Sequence, residues 1–124
     1  LLSANVLTSV DSDRQAARNA VREVLAYYLA RVEGVVIEES GADDDHINQV
    51  RQAVARDGVV AGASAVSEHL IDTFSVAGTP HDVVEGLAIY AEAGLQMPLA
   101  WYTFGPNPTE ALYTIAREIR PELC

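Results

Sequence analysis

At 124 residues, the chain has the length of one ordinary domain, and its 49% hydrophobic content is enough for a core. Eighteen acidic residues against eight basic ones give a net charge of −10, which repels phosphate backbones and argues against nucleic-acid binding. No apolar run reaches the roughly 18 residues that a membrane span needs, and no N-terminal signal is visible. The single cysteine, Cys124, excludes an internal disulfide framework and fits a reducing cytoplasm, and we expect no role for it.

All the basic residues are arginine, because the sequence contains no lysine. An excess of carboxylates without lysine is typical of salt-adapted proteins, in which acidic groups hold water and strong screening reduces their repulsion. A GC-rich genome that encodes arginine in place of lysine is the alternative. The composition therefore favours a halophilic source, with genome composition left open.

The chain opens with a strand followed by a long helix. Residues Ser3 to Val10 alternate imperfectly, with Ala4, Val6, Leu7 and Val10 apolar, which predicts a largely buried strand. Ser12 with Gln15 has the capping-box pattern that starts a helix. Apolar residues then recur at steps of three and four, which predicts a helix over about 13–33 that ends at Gly34.

The middle of the chain reads as a series of short helices. Val35–Ile37 either prolongs the first helix or forms a short packing turn, and 41–45 reads as a solvated acidic loop rather than a cation site. The apolar spacing predicts a helix over His46–Arg56 and a shorter one within 59–66. Ser67 is the predicted N-cap of the next short helix.

A capped helix follows, between apolar runs. Phe74–Ala77 is a doubtful strand, Thr79 is the predicted N-cap with Pro80 at the first helical position, and Gly94 ends the helix. The last apolar run begins at Met97.

The end of the chain returns to helix. A loop at Gly105-Pro106-Asn107-Pro108 ends the last apolar run, and Thr109 is the predicted cap of a helix that continues to Ile119 and is closed by Pro121. Helices between apolar strands predict an α/β fold with a parallel sheet. Two clear strands and one doubtful strand are too few for a closed sheet, so we expect an incomplete fold.

Several motifs together carry a family resemblance. They are Asp11-Ser12-Asp13, Ala16-Ala17-Arg18, Leu25-Ala26-Tyr27-Tyr28-Leu29, Phe74-Ser75-Val76-Ala77-Gly78-Thr79-Pro80, Ala91-Glu92-Ala93-Gly94, Gly105-Pro106 and Glu110-Ala111-Leu112. In this order they resemble the C-terminal part of the luciferase-like flavin- and F420-dependent oxidoreductases. The branch that the chain resembles is the one that contains the F420-dependent methylenetetrahydromethanopterin reductases.

The resemblance implies a fold, a chemistry and a cofactor. The fold is the C-terminal portion of a (β/α)8 TIM barrel, namely its last two strands and their helices plus a helical excursion, with 1–124 as a single partial domain. A whole barrel takes roughly 250 residues. The implied chemistry is hydride transfer or monooxygenation of a small-molecule substrate, with coenzyme F420 or FMN over the C-terminal mouth of the barrel. Most contacts to that cofactor come from earlier strands of the family.

The barrel fold also selects candidate site residues, because barrel chemistry lies in the loops after the strands. These loops hold 9–11 and 102–106. The predicted cofactor-binding residues are Tyr102, Thr103, Phe104 and Gly105: an aromatic ring stacks on a flat cofactor ring, and the glycine amide approaches a phosphate or ring edge. Packing of the aromatic rings in the core is the alternative. The motif Thr79-Pro80 resembles a phosphate-binding helix start, but we expect it toward the opposite face and interpret it as a plain cap.

Other chemistry has little support. The histidines His46, His69 and His81 are far apart without a second ligand at metal spacing, so no metal site is predicted. No catalytic acid or base can be assigned.

Two functional hypotheses remain. The first is a C-terminal fragment of an F420- or flavin-dependent oxidoreductase that is inactive on its own. The second is a stand-alone, non-catalytic half-barrel that self-associates as a homo-oligomer, in a structural or small cofactor-binding role, because uncovered sheet edges are unstable alone.

Overall fold

The computed structural model describes residues 1–123, apart from the side chain of Thr103, so the prediction for Cys124 lies outside the described residues. None of the described helices is both long and apolar enough to cross a bilayer. In chain order the elements are β1 (Ser3–Val10), α1 (Arg14–Leu29), α2 (Gly34–Ser40), α3 (Asp44–Asp57), α4 (Val59–Gly62), a 3-10 turn (Ala63–Ala65), α5 (Glu68–Phe74), β2 (Val76–Gly78), α6 (Pro80–Glu92), β3 (Met97–Phe104), α7 (Pro108–Thr114), a π-helical turn (Ile115–Ile119) and α8 (Arg120–Leu123).

The three strands form one parallel sheet in the order β2-β1-β3. The central strand β1 pairs with β2 from Thr8↔Val76 to Val10↔Gly78, and with β3 from Ser3↔Met97 onward. The predicted α/β class is therefore confirmed. The two long strands are neighbours, and the strand that was doubtful at Phe74–Ala77 is present as Val76–Gly78.

The chain divides into two compact units, and the first holds the sheet. It comprises residues 1–21 together with the chain from Ser75 onward. Residues 6–10 of β1 are all buried. This is typical of a parallel strand that is covered on both faces. One core cluster joins β1 and β2 to α6, α7 and the π-helical turn; its buried members are Val6, Val10, Val76, Val83, Leu87, Ala111 and Ile119.

The second unit, residues 22–74, is helical and corresponds to the predicted excursion between strands. Its largest fully buried side chains include Ile47, Leu70 and Ile71, which come from α3 and α5. The predicted cap at Ser67 is present, because its Oγ accepts a hydrogen bond from the Leu70 amide at 3.3 Å. The predicted helix over 46–56 is two residues longer at its start, because Asp43 caps it by accepting from the Asp45 amide.

The first helix is shorter than predicted at both ends. Asp13, not Ser12, caps it: Asp13 Oδ1 accepts from the Gln15 and Ala16 amides at 3.0 and 3.1 Å, and a carboxylate is favoured there by the helix dipole. The helix ends at Leu29, where Arg51 Nε donates to the Leu29 carbonyl at 3.0 Å. Gly34 was predicted to stop this helix; it begins α2 instead.

The last helical segment begins and ends differently from the prediction. Asn107 precedes the first turn and makes no side-chain cap, so the predicted cap at Thr109 is wrong. Pro108 takes the first helical position, where a missing N–H has no cost, and the helix begins two residues earlier than predicted. The helix also continues past Ile119 to Leu123. A π-helical turn directly upstream of Pro121 widens the ladder where a proline would disrupt a regular α-helix.

Candidate functional site

The C-terminal ends of all three strands lie at one edge of the sheet. The pairs Val10↔Gly78 and Ser9↔Phe104 place the ends of β2 and β3 level with the end of β1. The loop after β1 is tied to β2 by a hydrogen bond of 3.1 Å from the Asp11 amide to the Gly78 carbonyl. The candidate loops 9–11 and 102–106 are therefore brought together, as parallel strands require.

The loop after β2 belongs to the same edge, which corrects one prediction. Thr79 was expected toward the opposite face, but it follows Gly78, and β2 is parallel to β1. The predicted cap itself is present. The Asp82 amide donates to Thr79 Oγ1 at 3.3 Å and Asp82 Oδ2 accepts from the Thr79 amide at 2.9 Å, which is a reciprocal capping box.

An ion pair joins the helices that start at this edge. Arg14, the first residue of α1, donates from Nε and Nη2 to the two carboxylate oxygens of Asp82, at 2.7 Å each. The hydrogen bond from Arg14, together with those from Thr79, lowers the pKa of Asp82 to about 2, although partial burial opposes the shift. The same pair raises the pKa of Arg14, so both groups stay charged at neutral pH.

The strand β3 carries a bulge next to its C-terminal end. The register passes from Leu7↔Trp101 to Ser9↔Phe104, so β3 has one residue more than β1 over this step. Tyr102 and Phe104 both have left-handed backbones, with φ of 76° and 58°. For residues other than glycine this conformation costs roughly 1–2 kcal/mol each. Such local strain is common at functional sites, so the bulge is the most informative backbone feature of this edge.

The predicted cofactor-binding residues differ in their surroundings. Tyr102 is 59% exposed, and its ring lies 5.4 Å from that of Trp101, centroid to centroid. Phe104 is half-buried and packs against the core cluster, in line with the packing alternative. The side chain of Thr103 lies outside the described residues. Tyr102 is therefore the predicted aromatic residue with the most surface for a ligand.

Gly105 is fixed by a close backbone approach. Its φ is +143°, and a Cβ at this position would lie 2.4 Å from the Val10 carbonyl oxygen. Only glycine fits this contact without displacing backbone. The loop after β3 is thereby held against the end of β1.

The second unit contains a histidine cluster that the sequence did not predict. His46 and His69, expected far apart, have ring centroids 5.3 Å apart, because the first turns of α3 and α5 meet. His46 Nδ1 lies 2.6 Å from Ser67 Oγ, and His69 Nε2 accepts from the Asp43 amide at 3.2 Å. Over the described residues, no three His, Cys, Asp or Glu side chains are arranged to hold a metal ion.

Sequence reasoning missed the pairing of Arg14 with Asp82. The two residues are 68 positions apart, and only the parallel pairing of β1 and β2 brings their helix starts together. The available signal was that each residue stands in the first turn of a helix that directly follows a strand.

Comparison with known proteins gives consistent relatives, although no protein-family model matches the chain. The 5,10-methylenetetrahydromethanopterin reductase of Archaeoglobus fulgidus is 38% identical over 119 residues, covering 93% of this chain and 36% of the relative. The proteins of the same name from Methanopyrus kandleri and Methanolobus tindarius are 27% and 28% identical over 120 residues, which is 34% and 36% of their lengths. The chain therefore spans about a third of the curated relatives that it matches.

A solved structure supports the same relationship. The coenzyme F420-dependent tetrahydromethanopterin reductase from Methanopyrus kandleri matches 98% of this chain and 35% of its own, with a TM-score of 0.88 and 26% identity. In sequence and in its parallel α/β fold, the chain is therefore similar to one part of the F420-dependent reductases. Within that class its relatives are methylenetetrahydromethanopterin reductases, and the resemblance predicted from the sequence motifs is confirmed.

Proposed function

We propose that the chain is part of a coenzyme F420-dependent reductase and supplies one sector of its cofactor site. The observation that carries the proposal is the 38% identity over 93% of the chain to a methylenetetrahydromethanopterin reductase. The strand ends at one edge of the sheet support it, because ligands of parallel α/β folds bind outside the C-terminal ends of the strands. Residues 1–124 then form one partial domain.

Coenzyme F420 is the proposed cofactor, rather than FMN, because the solved relative is named for its dependence on F420. When bound, F420 supplies hydride transfer. The exposed ring of Tyr102 offers a flat apolar surface for the cofactor, and the strained bulge holds that ring at the edge. Phe104 supports the bulge from the core side, Gly105 keeps the following loop against β1, and Thr103 lies between the two aromatic residues.

The proposed substrate is a small molecule of the class named in the relatives, a methylenetetrahydromethanopterin. We propose hydride transfer rather than monooxygenation, because these relatives are named reductases. The chain lacks about two thirds of the relatives' length. We therefore expect the 124-residue chain alone to be inactive.

One observation favours the alternative, in which the chain is a non-catalytic module that self-associates. β3 is an edge strand, and its Met97 and Leu99 are each 44% exposed. A homo-oligomer that covers this apolar edge is the proposed form of that alternative. A cytoplasmic location and a salt-adapted source are proposals that rest on composition.

The cofactor proposal is tested by F420 titration of the longest native polypeptide that contains this chain. Tyr102→Ala is expected to weaken F420 binding at least tenfold, because it removes the exposed ring at the sheet edge. Tyr113→Ala is the matched control, since Tyr113 is 56% exposed and stands on α7, and its effect should stay within twofold. Equal affinity of both variants would contradict the role of Tyr102.

A further inference from the structure

Two successive residues of β3 have rings in contact, although a regular strand would keep them apart. Successive side chains of a strand point to opposite faces of the sheet. The ring centroids of Trp101 and Tyr102 are nevertheless 5.4 Å apart, and the ring planes meet at 60°. The bulge is the cause, because the left-handed backbone of Tyr102, with φ of 76°, takes its side chain out of the regular alternation.

Trp101 is the better anchored member of this pair. Its backbone is still in register with β1, opposite the buried residue Leu7, and its indole is half-buried. Tyr102 follows the last regular pair before the register shift, and its side chain is exposed. The indole is therefore the support, and the tyrosine is the ring that it supports.

The angle between the two rings leaves the tyrosine open to a ligand. Rings that meet at 60° are not stacked on each other, so Trp101 contacts Tyr102 without covering it. A side chain that is already held in one orientation loses less conformational entropy on binding than one that rotates freely. An aromatic contact of this kind changes the population of the held orientation by a factor of about two to ten.

We propose that Trp101 is a positioning residue, which holds the Tyr102 ring in the orientation that stacks on the flat ring of the cofactor. The identity of that cofactor, coenzyme F420, rests on the proposed function. The support of Tyr102 by Trp101 does not depend on it. Trp101 acts through Tyr102 and not by a contact of its own with the cofactor.

The first test is a double-mutant cycle, measured by F420 titration of the longest native polypeptide that contains this chain. Trp101→Ala should weaken F420 binding about threefold to tenfold, because the Tyr102 ring is no longer held. In the Tyr102→Ala background the same substitution should change the affinity less than twofold, since no ring remains to be positioned. Trp101→Phe, which keeps an aromatic ring, should bind F420 within twofold of the unchanged polypeptide. Leu99→Ala is the matched control, because Leu99 is exposed on the same strand, and its effect should also stay within twofold.

The second test follows the Tyr102 ring without any ligand. Fluorine nuclear magnetic resonance of the same polypeptide, labelled with fluorotyrosine, gives separate tyrosine signals, and Tyr102→Phe identifies the signal of Tyr102. Trp101→Ala should shift that signal toward the position of free fluorotyrosine, because the ring current of the indole is lost. The signal of Tyr113, which stands on α7, should not move.

Three results would overturn the proposal: an equal loss of affinity from Trp101→Ala in both backgrounds, no recovery in Trp101→Phe, or an unmoved Tyr102 fluorine signal. If Trp101→Ala does not fold, Trp101→Leu decides, because it keeps an apolar side chain without a ring. It should weaken F420 binding at least about threefold, and unchanged affinity contradicts the positioning role. Failure of the unchanged polypeptide to bind F420 would contradict the proposed function, and the fluorine signal would still decide whether Trp101 holds Tyr102.

Discussion

At the scale of single residues, three side chains and one glycine determine the sheet edge. Arg14 and Thr79 both engage the Asp82 carboxylate, and Gly105 rests on the Val10 carbonyl. Each contact joins the loop after one strand to the loop or helix of another. The edge is therefore fixed by specific polar contacts and one steric constraint, in addition to strand pairing.

The Asp82 ion pair makes stability depend on pH in the acid range. The pKa of Asp82 falls from an ordinary value of 3.8 to about 2 on folding. The contribution of the ion pair to the free energy of unfolding is therefore complete above about pH 4 and is lost as the pH falls through 2. Asp82→Asn should lower the free energy of unfolding by about 1 kcal/mol at pH 7, a value limited by solvent exposure of Arg14.

Urea denaturation at several pH values measures this difference. The gap between the variant and the unchanged chain should close as the pH falls from 4 toward 2. Asp57→Asn is the control, because Asp57 pairs with Arg56 on an exposed surface, and its cost should be below about 0.5 kcal/mol. A pH-independent cost of Asp82→Asn would show that the cap, not the charge, matters.

Substitutions at Gly105 and Gly94 distinguish the cost of a steric clash from the cost of backbone strain. Both have positive φ, of +143° and +106°, but only Gly105 has backbone within reach of an added Cβ. Thermal or urea unfolding should show a loss of about 1 kcal/mol for Gly94→Ala and roughly 2–3 kcal/mol for Gly105→Ala. Equal losses would mean that the Val10 carbonyl moves aside at little cost.

At the scale of elements, local patterns were predictable and strand irregularities were not. The capping box at Thr79 and the cap at Ser67 follow from short-range rules, and both are present. The bulge at Tyr102 leaves no comparable signal, because Tyr-Thr-Phe reads as an ordinary strand. Predicted helix ends were wrong where a side chain distant in sequence binds the end of the helix, as Arg51 does at the end of α1.

We expect the strained backbone of the β3 bulge to lower the stability of the chain while it positions the Tyr102 ring for binding. Tyr102→Gly removes both the ring and the left-handed strain, whereas Tyr102→Ala removes the ring and keeps the strain. Tyr102→Gly is therefore expected to be about 1 kcal/mol more stable than Tyr102→Ala in urea unfolding, with F420 affinity equally reduced in both. If Tyr102→Gly is the less stable variant, the strain assigned to this bulge is absent.

At the scale of the whole molecule, the sequence was sufficient to predict the fold class and the family resemblance. It was not sufficient to predict which residues meet at the C-terminal edge of the sheet. Apolar runs separated by helices indicated parallel α/β structure, and ordered motifs indicated the family. The placement of Thr79 was wrong because the short β2 was too weak a pattern to fix its direction relative to β1. Long-range pairs such as Arg14 with Asp82, or His46 with His69, depend on tertiary packing that no local pattern encodes.

The most direct test of the account is the absorbance-monitored oxidation of reduced F420 in the presence of methylenetetrahydromethanopterin. It is run on the longest native polypeptide containing this chain and, side by side, on the 124-residue chain. The account predicts turnover by the native polypeptide and none by the 124-residue chain. Turnover by the short chain alone, or no F420-dependent turnover by the native polypeptide, would contradict it.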